Sequence, residues 1–151
     1  MPAGILNDLH EDHEEVSGLL EKMLKTEDNK ERGAIFKDVM SKLLAHSHAE
    51  QNVLYKKMEK SENEKSRTFA YEGDNEHQIV EQQLQQMARA RNKASEQWTA
   101  QANVLKDLVE HHVEEEESTG FTCAQGEFDS ATLEKMADQF RKQKEKLLAE
   151  A

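Results

Sequence analysis

Four of the seven histidines in this chain fall where a helix would bury them. His13 stands four residues after Leu9 and three before Val16, and His46 stands three after Leu43 and seven after Val39. His77 lies three before Val80 and seven after Ala70, and His112 lies four after Leu108 and three after Val109. Residues three, four and seven apart share a helix face, so each imidazole belongs to an apolar stripe. His46 and His112 each have a glutamate one turn further on, Glu50 and Glu116. An inward carboxylate without a partner is costly to desolvate, so the pattern requires a metal, a salt bridge or a displaced pKa.

The chain also repeats itself at low resolution. His13, Val16, Leu20 and Met23 match His77, Val80, Leu84 and Met87 step for step, with Asp12 and Glu76 just before each histidine. His46, Glu50 and Tyr55 match His112, Glu116 and Phe121 in the same way. Two related halves predict two equivalent metal half-sites on a pseudo-two-fold axis. Imidazole with carboxylate suits Fe, Zn, Mn or Cu, and four imidazoles sharing two carboxylates suit a carboxylate-bridged dinuclear centre. Each metal would take two histidine nitrogens, one oxygen from each glutamate and a bridging oxide or hydroxide. An iron that prefers six ligands keeps one position open for a small molecule.

Positioning these groups requires long helices, and the composition favours them. The chain has 151 residues, 34% charged and 36% hydrophobic, with 5% aromatic and a single proline. That is one ordinary domain's length with few of the residues strands prefer. Apolar spacing predicts a first helix over Ala3 to Lys25 and a second that starts at an Asp28/Glu31 capping box and ends near Met58. A third starts at Ser61 with Glu64 and fades between Arg89 and Lys93; its stripe includes Phe69, Ala70, Ile79 and Val80. A fourth follows a Ser95 cap and stops at Ser118, Thr119 and Gly120, which leaves Cys123 in a loop. Leu133, Met136, Phe140, Leu147 and Leu148 suggest a shorter fifth helix. The expected fold is all-α: an antiparallel up-down four-helix bundle over residues 1–121, with a loop and C-terminal helix over 122–151 packed on or extending the same domain.

The formal net charge of -11 repels phosphate backbones and anionic lipid, so nucleic acid and membrane partners are not expected. Asp8, Glu11, Asp12, Glu14 and Glu15 stand where an export signal would be basic and then apolar, and no stretch is apolar enough to span a bilayer. The single cysteine excludes an internal disulfide, CxxC zinc sites and c-type haem attachment. These features predict a soluble cytoplasmic protein.

The segments DHEEV at 12–16, HSHAEQNVLY at 46–55, EHQIV at 76–80 and HHVEEEESTGF at 111–121 resemble those of hemerythrin-like (HHE cation-binding) proteins, over roughly Leu6 to Phe121. The resemblance implies an antiparallel bundle around a non-haem di-iron site. By match, its ligands would be His13, His46, Glu50, His77, His112 and Glu116, and no catalytic residue separate from them is implied. Oxygen-carrying hemerythrins place two histidines one turn apart on the third helix and end with HxxxxD, whereas this chain has Gly73 four before His77 and an HxxxE on the fourth helix. One imidazole is missing, which points away from reversible oxygen storage and predicts an open face above one iron. Glu72 is a candidate replacement ligand, although five residues before His77 it sits about 140° around the helix.

The remaining polar residues have blander expectations. His48 and His111 face solvent or a helix edge, and His10 is a candidate second-layer partner of the site. Asp12 and Glu76 read as surface charges, with orientation of an imidazole the alternative, and Glu114 to Glu117 as a solvated face. Tyr55 and Phe121 read as core packing, and Cys123 as an unreactive thiol. The leading functional expectation is a di-iron protein acting on a small oxidant in oxidative stress or iron homeostasis, by catalase-like peroxide disproportionation or by O2 or NO binding. The alternative is an iron- or oxygen-responsive sensing module without turnover, read by a protein partner. Ferritin-like oxidases use ExxH pairs, and none occurs here; HExxH zinc hydrolysis is excluded on the same ground.

Overall fold

A computed structural model describes residues 2–151, so the first residue of the expected 1–121 bundle lies outside the described residues. The main helices are α1 (Ile5–Lys25), α2 (Asn29–Glu50), α4 (Glu64–Ala88), α5 (Glu96–Glu115) and α7 (Ser130–Glu150). Short α3 (Lys56–Met58) continues α2 through a π-helical turn at Gln51–Tyr55, and α6 (Phe121–Glu127) continues α5 through a second at Glu116–Gly120. Among the described residues no strand occurs, and no helix is long and apolar enough to cross a membrane.

Side-chain oxygens set most helix starts, where backbone N–H groups lack partners. Asp28 accepts from the Glu31 N–H at 2.8 Å, Ser95 from that of Trp98 at 3.1 Å and Asp129 from that of Thr132 at 2.8 Å. The third long helix starts two residues later than Ser61 would place it. Asn63 is its cap, accepting from the Lys65 N–H at 2.9 Å, while the Ser61 hydroxyl accepts from the Asn63 N–H. The predicted stop at Ser118–Gly120 does not occur. Ser118 and Thr122 turn their hydroxyls back onto the Glu114 and Ser118 carbonyls at 2.7 and 2.8 Å, so both are satisfied inside a helix. Cys123 is consequently on α6 and buried, not in a loop.

The core is two apolar clusters separated by a polar layer. One contains Leu9, Ala49, Val53, Tyr55, Ala70 and Phe121, and the other Val16, Val39, Leu43, Val80, Leu105 and Val109. Running along α1 or α4, the chain passes from the first cluster to the second; along α2 or α5 it passes back. That alternation is the antiparallel up-down bundle, and on every helix the candidate ligands fall between the clusters. Ile79, counted in the third stripe, instead points outward at 50% exposure.

The fifth helix is built into the core. α7 packs on α1 and α2, and its Leu133, Met136, Ala137 and Phe140 join the first cluster. Where α7 passes the start of α1, Gly4 has φ +55°, and a Cβ there would come within 2.7 Å of the Glu134 nitrogen. Only glycine supplies that backbone conformation at that approach.

Candidate metal centre

Each half of the bundle contributes one cluster of ligand-type atoms. Those of His13, His46 and Glu116 lie within 4.8 Å of one another, and so do those of Glu50, His77 and His112. The imidazoles of a cluster come from adjacent helices, α1 with α2 and α4 with α5, whereas the carboxylate comes from the other half. Each glutamate also reaches both clusters. Glu50 Oε1 is 3.1 Å from His77 Nε2 and 3.5 Å from His46 Nε2. Glu116 is 3.1 Å from His13 Nε2 and 3.5 Å from His112 Nε2. Six groups, each 7% exposed or less, thus converge in one layer with the two carboxylates between the halves.

Three imidazoles are oriented by carboxylates on neighbouring helices. The Nδ1 atoms of His13, His46 and His112 donate to Glu117, Asp12 and Glu76 at 2.7, 2.8 and 2.7 Å. A donor at Nδ1 leaves the Nε2 lone pair facing the layer, the tautomer a metal ligand needs. Glu117 also accepts from His10 Nδ1 at 2.8 Å, so His10 stands one step further out than expected, bonded to the carboxylate behind His13 and not to the imidazole. Asp12 and Glu76 are therefore not simple surface charges, and Glu117 is not part of a solvated face. Single-helix spacing could not reveal these contacts, because each bond crosses to another helix. His48 and His111 do face outward, 41% and 66% exposed at their side chains.

Without a cation this layer is poorly satisfied. His13 Nε2, His46 Nε2, both Glu50 oxygens and Glu116 Oε1 are buried without a hydrogen-bond partner. Five orphaned atoms in one layer break the rule that buried polar groups are paired. Protons partly compensate. Burial opposes the charged form of His46, but Asp12 and Glu50 outweigh it and push it up to about 9. Burial likewise opposes His112, and Glu116 and Glu76 raise it to about 10. Burial and the Glu116 charge push Glu50 up to about 7, while the His112 and His13 imidazoles beside Glu116 overcome burial and hold it well below the usual carboxylate range. Burial, with the neighbouring His112 charge, holds His77 well below the usual imidazole value. The donor set fits one or more divalent cations of intermediate softness, with glutamates placed to bridge.

Gly73 does not open a face. A Cβ there would lie 2.7 Å from the Cζ and hydroxyl oxygen of Tyr55, whose ring fills that space. Tyr55 is fully buried, stacks on His77 with ring centres 5.2 Å apart, and donates its hydroxyl to Glu116. The π turn puts it there: a turn closed five residues on brings residue 55 back over the face of Glu50, where an α-helix would rotate it away. Tyr55 is the site residue that the packing expectation missed. Its signal was the five-residue offset from Glu50, repeated by Phe121 after Glu116. Glu72 is exposed and lines a surface cleft with Lys65, Thr68 and Thr119, so it is not among the converging groups. Its rotation around α4 away from His77 is the reason.

On the side opposite Tyr55, a cavity of about 20 Å³ lies against all four histidines, walled by Val16, Leu43, Val80, Val109 and Val113. One water needs about 10–15 Å³ by the same measure, so the space suits a molecule of two or three atoms.

The chain is 28% identical over 140 residues to a protein of Nostoc sp. (strain PCC 7120 / SAG 25.82 / UTEX 2576) named DNA nickase. The match covers 90% of this chain but only 38% of that protein's length. No solved structure matches the chain. The hemerythrin HHE cation-binding domain matches residues 4–124, which contain all six converging groups, and the chain belongs to that metal-binding family.

Proposed function

We propose that this protein holds two iron ions in the His/Glu layer and acts on a small oxidant, with peroxide decomposition favoured over reversible oxygen carriage. The observation that carries this reading is the small aliphatic cavity against four histidines, which admits peroxide, O2 or NO and excludes metabolites. His13, His46 and Glu116 would hold one ion, and Glu50, His77 and His112 the other, and each glutamate lies within 3.5 Å of an imidazole from both clusters. Bound iron supplies electron exchange with the oxidant.

The chain's own residues do the rest. Glu117, Asp12 and Glu76 fix three imidazoles so that their Nε2 atoms face the layer. The aliphatic wall gives the cavity a mostly apolar lining. Tyr55 closes the opposite side and holds its proton on Glu116, since burial and the Glu116 and Glu50 charges raise its pKa well above the ordinary value. A phenol that keeps its proton is a fixed hydrogen-bond donor to that carboxylate.

Iron analysis of purified protein, with spectra after reduction and exposure to peroxide or oxygen, tests this. Two irons per chain and oxygen evolution from peroxide are expected. Glu50→Ala or Glu116→Ala should each release at least one iron; two irons retained in both variants would show that neither carboxylate bridges. Two irons without turnover, but with oxidant-dependent stability, would favour the sensing reading. The DNA nicking named for the Nostoc protein is not expected of this chain. A net charge of -11 opposes phosphate backbones, and incubation with supercoiled plasmid in the presence of magnesium should leave it intact.

A further inference from the structure

α7 lies beyond residues 4–124, the stretch matched to the family, yet it reaches the layer. Phe140 is fully buried with its ring centre 5.7 Å from that of His46, edge to face. One turn on, Lys144 Nζ donates to both oxygens of Asp12 at 2.7 and 2.8 Å, and lies 5.0 Å from the Phe140 ring centre. Asp12 Oδ2 is the atom that accepts from His46 Nδ1 at 2.8 Å. A cation from the appended helix therefore anchors the carboxylate that orients one imidazole.

The internal repeat supplies a control within the same molecule. Glu76 is the counterpart of Asp12 and orients His112, but its other ionisable neighbour is the exposed imidazole of His111 at 3.6 Å. Among the described residues no lysine or arginine pairs with Glu76, and none pairs with Glu117 behind His13. The difference arises because α7 packs on α1 and α2, while the α4 and α5 face carries no fifth helix. A half-buried carboxylate that nothing else restrains can rotate off its imidazole or be drawn to solvent. Two bonds from Lys144 remove that freedom for Asp12, as the bond from His10 limits it for Glu117, and Glu76 is left the least restrained.

The geometry points to Lys144 as a positioning residue that makes the His13–His46–Glu116 cluster the tighter of two unequal metal-holding clusters. This rests on the two-ion reading of the metal centre. Loss of a partner behind a metal-bound histidine costs about 10–100-fold in metal affinity. Lys144→Met leaves Asp12 itself in place, so it should weaken one of two binding steps by less than that full loss, up to about tenfold, and leave the other unchanged. Lys144→Arg, which retains two donors on Asp12, should restore it. Glu76→Gln should weaken the other step.

The test is stepwise titration of the chelator-stripped full chain with Co(II), following the visible bands and the paramagnetically shifted imidazole N–H protons. In Lys144→Met, the N–H signal from His46 should broaden or exchange faster, whereas that from His112 should not. Arg141→Met is the control for loosening α7 in general. Arg141 pairs with Asp8 at 2.6 and 3.0 Å, and Asp8 bonds no histidine. Equal weakening in Arg141→Met and Lys144→Met would overturn the inference, since α7 would then act only by packing. So would two unchanged steps and unchanged N–H signals in Lys144→Met. A wild-type chain that takes up fewer than two Co(II) ions would instead sink the metal-centre reading itself.

Discussion

Stripping the metal should lower the melting temperature by more than about 10 °C and reverse the sign of the pH dependence. In the stripped protein, His46 and His112 hold protons up to about 9 and about 10, above the ordinary imidazole value of 6.5. A raised folded pKa contributes stability that is fully present below the unfolded value and is lost as pH rises through the folded one. The contributions are on the order of 3 to 5 kcal/mol before neighbours are allowed to adjust. Glu50, raised to about 7 from an ordinary 4.5, acts in the same direction and loses its contribution at lower pH. Glu116 and His77, both held low, run the other way, but their contributions are complete above pH 6.5. Between pH 6.5 and about 9, the stripped protein should therefore become less stable as pH rises. The loaded protein should become more stable over the same window, because metal needs these groups deprotonated and protons compete for them. Melting curves of both forms across that range check the crossing trends. Equal melting temperatures for both forms at every pH would reduce the six groups to ordinary buried polar pairs.

The histidine spacing could be read because it depends on one helix at a time. The three- and four-residue steps around His13, His46, His77 and His112 place each imidazole on an apolar stripe before any partner helix is known, and the same steps place Glu50 and Glu116. The capping residues Asp28 and Ser95 are equally local. The features that stayed hidden depend on pairs of helices or on departures from α geometry. Asp12 and Glu76 sit at the edge of their own helices and look solvated; they find their imidazoles only when α2 and α5 lie alongside. Glu117 sits in an acidic run, and its role comes from α1. The π turns at Gln51–Tyr55 and Glu116–Gly120 shift the register of the residues within and beyond them, so a fixed 100° step misplaces Tyr55 and ends the fourth helix too early. The C-terminal helix showed its apolar stripe but not its destination, because the bond from Lys144 to Asp12 spans more than a hundred residues of sequence.

Gly73 carries the remaining large effect, and its expected sign is set by Tyr55. Glycine in a helix interior costs about 1 kcal/mol against alanine, so Gly73→Ala would stabilise an open position. Here it should destabilise. The added Cβ would press on the Tyr55 ring at 2.7 Å, and that ring is held between His77 at 5.2 Å and Phe69 at 5.9 Å. Overpacking of this kind typically costs about 1–3 kcal/mol. Gly73→His, which recreates the HxxxH pair of the oxygen carriers with His77, should cost more and displace the phenol from Glu116. Adding Tyr55→Ala vacates the space an imidazole at 73 would need, so the double variant should recover much of the lost stability although each single change is harmful. That coupling is the decisive quantity. Urea unfolding of the two single variants and the double variant, all metal-loaded, measures it as a double-mutant cycle. Additive losses would show that residues 55 and 73 do not compete for one space. A Gly73→His protein as stable as wild type would return the position to an open face above one metal.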